Sequence, residues 1–428
     1  MQGRGLSPRT KQRGERCSHY SALRSSSWQT RRDCLTSTRY LAAYYFWYFA
    51  AIGVSEPYLP PYWRSLGFSP PALGLLNAIV PAITVVAPFL WTAYADATRQ
   101  GERIFLINTC IAALAAVLFP NLAGFWPMAA AVLIYAAFRT PLIPLANSMT
   151  FRALAGRRQG YAAIRLWGTI GYILMAVGAG FLVDRIGLRA GMYGIALAML
   201  ACGVVGWVGR SRERSSLLSV HLGTFLQTLR DRRILLLLLA TCLAQVSFGP
   251  YTIFFTIHLQ HIGLSRGFAG TAWALAAGSE LFVMLTWRRM SILASARIWL
   301  TAALAAHAVR WGLFVIARDP AFLLAIQLTH ALTFGVFYLA GVQMVDALVP
   351  DGLRATAQGV FASVTFGLGG LVGNVLAGLL YESLGMARLY TVAAALAAGA
   401  TVLYWVGTRL AGAGDRLGTV RIPVGGSR

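Results

Sequence analysis

The chain has 428 residues, of which 57% are hydrophobic and only 12% are charged. A soluble domain carries roughly 25% charged residues because its surface faces water, so this composition excludes an ordinary soluble protein. The net charge of +23, from 37 basic and 14 acidic residues, is spread over short segments between apolar runs, which argues against a nucleic-acid-binding domain.

The first 37 residues form a polar segment with eight basic and two acidic residues. This segment has no apolar core of the kind that a secretory signal peptide contains. We interpret residues 1–37 as a disordered basic cytoplasmic tail or as an over-extended start site. An arginine-rich transit peptide is the alternative.

Twelve apolar runs follow, and each is longer than the ~18 residues that indicate a membrane-spanning helix. They lie at 40–62, 71–94, 104–122, 126–147, 161–183, 190–208, 234–256, 268–287, 298–317, 321–345, 357–380 and 388–408. The sequence therefore predicts an all-α membrane protein with twelve transmembrane helices in two pseudo-symmetric six-helix bundles, at 38–208 and 234–408. A cytoplasmic linker at 209–233, which holds six arginines, joins the bundles, and a cytoplasmic tail at 409–428 follows them.

The placement of arginines predicts the orientation, because the cytoplasmic loops of membrane proteins carry an excess of Lys and Arg. If the N-terminus is inside, the loops on that side hold 15 arginines and the loops on the other side hold six. We therefore expect both termini in the cytoplasm and the protein in the cell membrane (the inner or plasma membrane).

The two predicted halves contain an internal repeat. Four residues of the first half recur 196 positions later, namely Gly67 as Gly263, Ser69 as Ser265, Gly74 as Gly270 and Trp91 as Trp287. Asp184 and Gly187 recur 198 positions later as Glu382 and Gly385. Repeats of six spans lie parallel, about a pseudo-two-fold axis along the membrane normal. This arrangement predicts a cavity between the halves near the midplane, which a rocking motion exposes to each side in turn.

The motifs that suggest an enzyme have simpler explanations. Gly263-Leu-Ser265-Arg-Gly267 matches the nucleophile pattern GxSxG. Its repeat partner lacks the last glycine, however, and both serines precede an apolar run, as a helix N-cap does. The sequence holds no phosphate-binding loop, and its five cysteines include no metal-type pair. We expect no enzymatic activity, no cofactor and no metal site.

Several segments carry a resemblance to a known family. They are YFWYFAAIGVSEPYLPPYWRSLGFS from Tyr45, FRTPLIPLANSM from Phe138, YAAIRLWGTIGYI from Tyr161, GSELF from Gly278, HALTFGVFYLA from His330 and RATAQGVFAS from Arg354. In this order and spacing they resemble the major facilitator superfamily, and within it the phenylpropionate permease group, which is allied to lactose and nucleoside proton symporters. The resemblance implies transport of a small solute by alternating access.

The loop between the second and third spans departs from the superfamily's pattern. That pattern reads Gly-x-x-x-Asp-x-x-Gly-Arg, whereas this chain has Thr92-Ala-Tyr-Ala-Asp96-Ala-Thr-Arg99 and keeps little beyond the aspartate. We expect gating roles for Asp96, which can pair with a cytoplasmic arginine, and for Arg165 at the start of the fifth span.

A charged side chain inside a bilayer costs about 2.5–3.5 kcal/mol on insertion scales, so each one needs a role. The ionisable residues that we single out within the spans are Glu56, Arg139, Arg165, Glu280, Arg310 and His330. An interhelical salt bridge, or a position from which the side chain reaches the membrane interface, is the structural alternative for each of them.

Glu280, Arg310 and His330 fall on three successive spans, and the resemblance to lactose permease implies that this trio couples transport to protons. Desolvation favours the neutral form of a carboxyl group and a nearby arginine favours the charged form, so a proton can exchange when the arginine moves. The match is incomplete, because Thr333 stands where lactose permease has a second carboxylate. Glu56 is the alternative proton site.

Arg139 is the candidate for binding an anionic substrate, because a guanidinium pairs with a carboxylate through two hydrogen bonds and stays charged at physiological pH. Tyr44, Tyr48 and Tyr338 are candidates for contacting a ring of the substrate. Tyr45 and Trp47 are further candidates, although a position facing lipid fits them equally well.

These features predict a secondary transporter of a small organic solute, an aromatic or other carboxylate, coupled to protons. The alternatives are a transporter of a neutral solute such as a sugar or nucleoside, an exporter, and, more remotely, a polytopic membrane enzyme. The expected partners are the small-molecule substrate, protons and the lipid bilayer, without nucleic acid, and the chain is expected to act as a monomer.

Overall fold

The computed structural model describes residues 38–154, 160–208, 231–350 and 353–412, apart from the side chains at positions 96, 152, 355, 411 and 412. The predicted tail at 1–37, most of the predicted linker and residues 413–428 lie outside this described part. The domain boundaries that fall there therefore stay predictions.

Six helices form the first half. They cover 38–65 (α1), Pro70–Thr98 (α2), Gly101–Leu118 (α3), Phe125–Arg139 with Leu142–Ala153 (α4), Tyr161–Ile186 (α5) and Leu188–Val208 (α6). The interruption of α4 falls at Pro141, which has no backbone N–H to donate to the preceding turn. Arg139 therefore stands at the end of the first segment of α4.

The second half has the same number of helices. They cover Arg232–Val246 with Gly249–His261 (α7), Arg266–Leu293 (α8), Ala296–Ile316 (α9), Pro320–Leu348 (α10), 354–384 (α11) and 386–412 (α12). Both α10 and α11 contain a π-helical segment, at Ala331–Val336 and Ser363–Leu368.

Beyond α1, ten helical stretches of the described chain are long and apolar enough to cross a membrane. The longest, Thr356–Leu410, contains both α11 and α12, which the positive φ of 67° at Gly385 divides. The prediction of an all-α fold with twelve transmembrane helices in two six-helix bundles is confirmed.

The internal repeat extends to the backbone conformation. Within the described ranges, the glycines with positive φ are Gly67 at 86°, Gly187 at 85°, Gly263 at 85° and Gly385 at 67°. Glycine reaches this region without the steric penalty that a Cβ imposes. The repeat relates Gly67 to Gly263 and Gly187 to Gly385, so each half turns its chain in the same way at the same two places.

Two seams join the halves, because α5 packs along α8 and α2 packs along α11. Small residues let the backbones approach closely. At the α2–α11 seam, a Cβ on Gly74 would lie only 2.7 Å from the carbonyl oxygen of Asn374. At the α5–α8 seam, Gly270 lies against the carbonyl oxygen of Ala176.

Contacts between the halves cluster at the end of the molecule that holds the turns at 66–69, 187, 262–265 and 385, which we call the closed end. Here Tyr58 Oη donates to the carbonyl oxygen of Ala176 at 2.6 Å and to that of Arg266, in the other half, at 3.3 Å. Asn374 Nδ2 donates to the carbonyl oxygen of Asn77 at 3.1 Å.

The start of α8, at the closed end, is capped from two sides. Ser265 Oγ accepts a hydrogen bond from the backbone N–H of Phe268 at 3.0 Å, which confirms the N-cap interpretation of the GxSxG motif. Asp184, at the end of α5 in the other half, accepts from the N–H groups of Arg266 at 3.0 Å and Gly267 at 2.8 Å. A carboxylate at a helix N-terminus also interacts favourably with the helix dipole.

The two seams differ in this respect. Helix α2, the repeat partner of α8, begins with Pro70 and Pro71. Proline has no backbone N–H, so a carboxylate cannot cap α2 in the way that Asp184 caps α8. The α5–α8 seam alone can therefore use this type of cap at the closed end.

Replacing Asp184 with alanine should let the closed end open more often, because loss of an N-cap costs about 0.5–2 kcal/mol. The expected change is about two- to thirtyfold in the open fraction. It can be measured as faster labelling, by a membrane-impermeant maleimide, of a cysteine introduced at Leu59 on the wall of the central cavity.

The matched control is Asp319→Ala. Asp319 caps α10 within its own half, by accepting from the N–H of Phe322 at 2.9 Å. Both variants lose an N-cap, but only the Asp184 variant loses a contact between the halves. Equal labelling rates in the two variants would contradict the role of Asp184 in closure.

Candidate functional site

A cavity of about 410 Å³ lies between the two halves. Helices α1, α2, α4 and α5 contribute its wall on one side, and α7, α8, α10 and α11 contribute it on the other. Five of the six ionisable residues singled out from the sequence line it, namely Glu56, Arg139, Arg165, Glu280 and His330. The structure therefore brings together charges that are up to 274 positions apart in the chain.

In the first half, Glu56 projects from α1 and its side chain is exposed to the cavity. Its Oε2 accepts a hydrogen bond from Tyr172 Oη, on α5, at 3.0 Å. Arg139, at the end of the first segment of α4, lines the same cavity. The first half thus presents one hydrogen-bonded carboxylate beside one arginine.

Arg139 makes no hydrogen bond or ion pair with another side chain of the described chain, and its Nε is a buried donor without a partner. Its Cζ lies 5.3 Å from the ring centre of Tyr135, one helical turn earlier on α4, within the range of a cation–π interaction. Arg139 as a whole is only partly buried and borders the cavity. The guanidinium is therefore available to an anion that enters the cavity.

Arg165, near the start of α5, is held against aromatic rings of α1. Its Cζ lies 3.8 Å from the ring centre of Phe49 and 5.8 Å from that of Tyr45. Its predicted gating role stays a prediction. The same holds for Asp96, whose side chain lies outside the described part of the structure.

The second half brings Glu280, His330 and Arg310 into one chain of contacts. His330 Nε2 lies 4.0 Å from Glu280 Oε2, and Arg310 Nη1 donates to His330 Nδ1 at 2.8 Å. Because an arginine can only donate, Nδ1 is the accepting nitrogen and the proton of the neutral imidazole sits on Nε2, the nitrogen next to Glu280. The three residues on successive spans do meet, and their role in proton coupling stays a prediction.

Arg310 is fully buried within the protein. This excludes the alternative in which its side chain reaches the membrane interface. Arg310 Nη1 also donates to Thr333 Oγ1 at 2.8 Å, and Nη2 donates to Gln327 Oε1 at 3.1 Å. Its Cζ lies 4.6 Å from the ring centre of Tyr251. Arg310 is therefore fixed by its neighbours, whereas Arg139 is not.

The predicted aromatic contacts lie elsewhere in this conformation. Tyr44 is buried against Phe105, with ring centres 4.3 Å apart, and Tyr48 is buried 6.3 Å from Tyr44. Tyr338 packs against Phe366 with ring centres 6.0 Å apart. None of these three tyrosines is among the described residues that line the cavity. On the second half its aromatic wall comes from Phe248, Tyr251, Trp273 and Phe334.

The sequence analysis missed the uncharged polar residues that hold the charged ones. Tyr172 bonds Glu56, and Gln327 joins Arg310 to Tyr251, whose Oη donates to Gln327 Oε1 at 2.9 Å. A search for charges inside the spans cannot find such residues. A search for any strong hydrogen-bonding group inside an apolar run would have identified Gln327.

The two six-helix bundles pack around a charged cavity, and contacts between the bundles close one end of it. This arrangement defines a class of protein, the secondary transporters. Such a protein carries a small solute across a membrane by exposing one central site to each side in turn. Comparison with known proteins gives the particular family. Residues 38–392 match the MFS_1 like family, and the chain belongs to it. The resemblance to the major facilitator superfamily is thereby confirmed, and the protein is a multi-pass membrane transporter rather than an enzyme.

Individual relatives cover most of the chain. The maltose permease of Geobacillus stearothermophilus is 27% identical over 366 residues, which cover 81% of this chain and 88% of the permease. The probable 3-phenylpropionic acid transporter of Escherichia coli (strain K12) is 27% identical over 379 residues, which cover 84% and 95%. The crystal structure of the nucleoside transporter NupG superposes with a TM-score of 0.72 at 17% identity, covering 87% of this chain and 99% of NupG, which supports the fold alone.

Proposed function

We propose that this transporter carries a small organic carboxylate, with an aromatic ring as its apolar part, together with protons. The observation that supports this proposal best is the unpaired guanidinium of Arg139 at the cavity. Arginine matches a carboxylate through two parallel hydrogen bonds, and these charge-assisted bonds are stronger than neutral ones.

The balance of charge around the cavity supports an anionic substrate. The groups at its wall and directly behind it are three arginines, Arg139, Arg165 and Arg310, and two carboxylates, Glu56 and Glu280. With both carboxylates ionised, one positive charge is uncompensated among these five groups. A monovalent carboxylate supplies the missing negative charge. When Glu280 binds a proton, a second positive charge is uncompensated, and a second negative charge can balance it.

The size and walls of the cavity are also compatible with such a substrate. Sites for small molecules typically have volumes of about 300–1,000 Å³ and mostly apolar walls with a few polar groups. The volume of about 410 Å³ falls in this range. The relative from Escherichia coli that is named for 3-phenylpropionic acid makes this compound the first to test.

A neutral solute is the second candidate, supported by the relative that is named a maltose permease. Under this alternative Glu56, Asn77 and Gln245 at the cavity wall hydrogen-bond hydroxyl groups, and Arg139 has a structural role. Uptake of labelled 3-phenylpropionate and maltose into proteoliposomes, with and without a proton uncoupler, separates the two. Uptake of maltose without uptake of any carboxylate in a broad panel would overturn the proposal.

Replacing Arg139 with glutamine should raise the KM for the carboxylate by roughly 10- to 150-fold, because a hydrogen bond to a charged group contributes about 1.5–3 kcal/mol. Arg139→Lys keeps the charge but loses the planar fork, so its KM should fall between those of Arg139→Gln and the unaltered protein. Unchanged carboxylate uptake by Arg139→Gln, at equal amounts of folded protein, would assign Arg139 a structural role.

The proposed orientation sets which side the closed end faces, and the proposed cotransport with protons sets the direction of transport. With the termini in the cytoplasm, the closed end faces outwards, and the conformation described is the one that is sealed from outside. A proton gradient directed into the cell then drives import. Protease or maleimide accessibility of residues near 412 from each side of the membrane tests this orientation.

A further inference from the structure

We infer that Trp273 forms the subsite for the apolar ring of the substrate, on the half of the molecule that does not contain Arg139. This inference rests on the proposed function and extends it, because it fixes how the substrate lies in the cavity. The carboxylate contacts α4 of the first half, and the ring contacts α8 of the second.

The rings around Trp273 form one continuous wall. The ring centre of Trp273 lies 4.7 Å from that of Tyr251 at an angle of 43°, and Tyr251 lies 5.9 Å from Phe248 at an angle of 87°. All three side chains line the cavity. Tilted and edge-to-face pairs at these separations are the favourable arrangements for aromatic rings, and a further ring can extend them.

The polar atoms of this wall are bonded on the side away from the cavity. Trp273 Nε1 donates to Thr256 Oγ1 at 3.1 Å, and Tyr251 Oη donates to Gln327 Oε1 at 2.9 Å. Because these donors already have acceptors, neither side chain presents a free polar group to the cavity. It suits an apolar ring better than the hydroxyl groups of a sugar.

The same bonds fix the rings before the substrate arrives. Trp273 is only 7% exposed and anchored by Thr256, while the Tyr251 ring is held beneath Arg310. A surface that is already ordered loses little conformational entropy on binding. On α8, Ala276 and Ala277 also line the cavity one turn beyond Trp273 and leave space beside the indole.

It follows that the substrate bridges the two halves, with its carboxylate on Arg139 and its ring on Trp273. The class of substrate is therefore an arylalkanoate, in which a short flexible spacer separates the ring from the carboxylate. Benzoate, which has no spacer, is the shortest member of a series that tests this arrangement. The series benzoate, phenylacetate, 3-phenylpropionate and 4-phenylbutyrate should show an optimum of affinity at an intermediate length.

The test compares Trp273→Leu with Trp287→Leu in proteoliposomes. Trp287 is a similarly buried tryptophan on the same helix, 8% exposed, which packs against Trp299 and not against the cavity. Trp273→Leu should raise the KM for 3-phenylpropionate about tenfold, while the inhibition constant of butyrate, a carboxylate without a ring, changes less than twofold. Trp287→Leu should leave both constants unchanged.

A second variant, Thr256→Val, keeps the indole but removes its anchor, and it should raise the KM for 3-phenylpropionate by a smaller factor. An equal loss of affinity for 3-phenylpropionate and butyrate in Trp273→Leu, or no loss for either, would overturn the ring subsite. A loss of maltose binding in Trp273→Leu would overturn it too, since the wall would then stack on sugars. If the unaltered protein takes up no carboxylate, the proposed function itself is wrong.

Discussion

Replacing Glu280 with glutamine should abolish uphill accumulation of the substrate while exchange of internal for external substrate continues. Glutamine keeps the size and most of the hydrogen bonding of the side chain but cannot release a proton. For one proton per monovalent carboxylate, cotransport is electrically neutral, so a gradient of one pH unit supports about tenfold accumulation. In the Glu280→Gln variant this ratio should fall to that of simple equilibration.

The structure gives the physical reason for choosing Glu280. Its carboxylate lies 4.0 Å from His330 Nε2, and the other nitrogen of the same ring accepts from the fully buried Arg310. Any rearrangement of α9 against α8 changes the distance between the arginine and the carboxylate, and with it the balance between the neutral and charged forms. In the proposed mechanism, a change of conformation is thereby linked to the uptake or release of a proton.

The matched control is Glu56→Gln. Glu56 accepts from Tyr172 and lines the same cavity as Arg139, the proposed site of the substrate carboxylate, so this variant should weaken binding but keep accumulation. The measurement is uptake of labelled substrate into proteoliposomes under an imposed pH gradient, together with exchange at equal pH on both sides. Accumulation that survives in Glu280→Gln and disappears in Glu56→Gln would move the proton site to the first half.

Replacing Gly270 with alanine should reduce turnover by at least tenfold, and valine in its place should stop transport. A Cβ at this position would overlap the carbonyl oxygen of Ala176 and the hydroxyl of Tyr58, which are fixed in the α5–α8 seam at the closed end. Backbone atoms cannot move aside as a flexible side chain can. The halves would then fail to seal at this end, and the cycle would stop with the closed end open.

Gly278→Ala is the control, because Gly278 lies two turns further along α8 and its Cβ would meet only Ile173, at an ordinary 4.0 Å. Both substitutions improve the helix propensity of α8 by the same amount, about 1 kcal/mol. Turnover in proteoliposomes and maleimide labelling of a cysteine at Leu59 should separate them, with low turnover and fast labelling for Gly270→Ala alone. Normal turnover in Gly270→Ala would show that the seam can separate without loss of function.

The helices and their symmetry could be predicted from the sequence, but the face of each helix that lines the cavity could not. Long apolar runs fix the spans, and paired glycines such as Gly67 and Gly263 fix the repeat. A helix that is apolar all round carries little information about its orientation, because lipid and protein contacts favour the same side chains. The sequence therefore predicted which charges lie in the spans but not which neutral residues accompany them.

Helix α1 illustrates this limit. Its cavity face contains Phe49, Ile52, Glu56 and Leu59, which follow the spacing of three and four residues of a single helical face. Tyr44 and Tyr48 were predicted to contact the substrate because they are aromatic, and they too lie at multiples of four residues before Glu56. Each step of four residues turns about 40° past a full helical turn, so these rings pack with each other and with Phe105 and not at the cavity. Counting back from Glu56 in alternating steps of four and three residues gives Ile52 and Phe49, which stay on the cavity face.

The four glycines with positive φ also limit how far the sequences of the two halves can differ. A residue with a Cβ is disfavoured in this conformation by roughly 1–2 kcal/mol, so substitutions at these positions are opposed whatever surrounds them. Side chains that merely face lipid are free to change independently in the two halves, while these turns are not. Gly67 with Gly263 and Gly187 with Gly385 are therefore the positions at which the similarity of the two halves should persist longest.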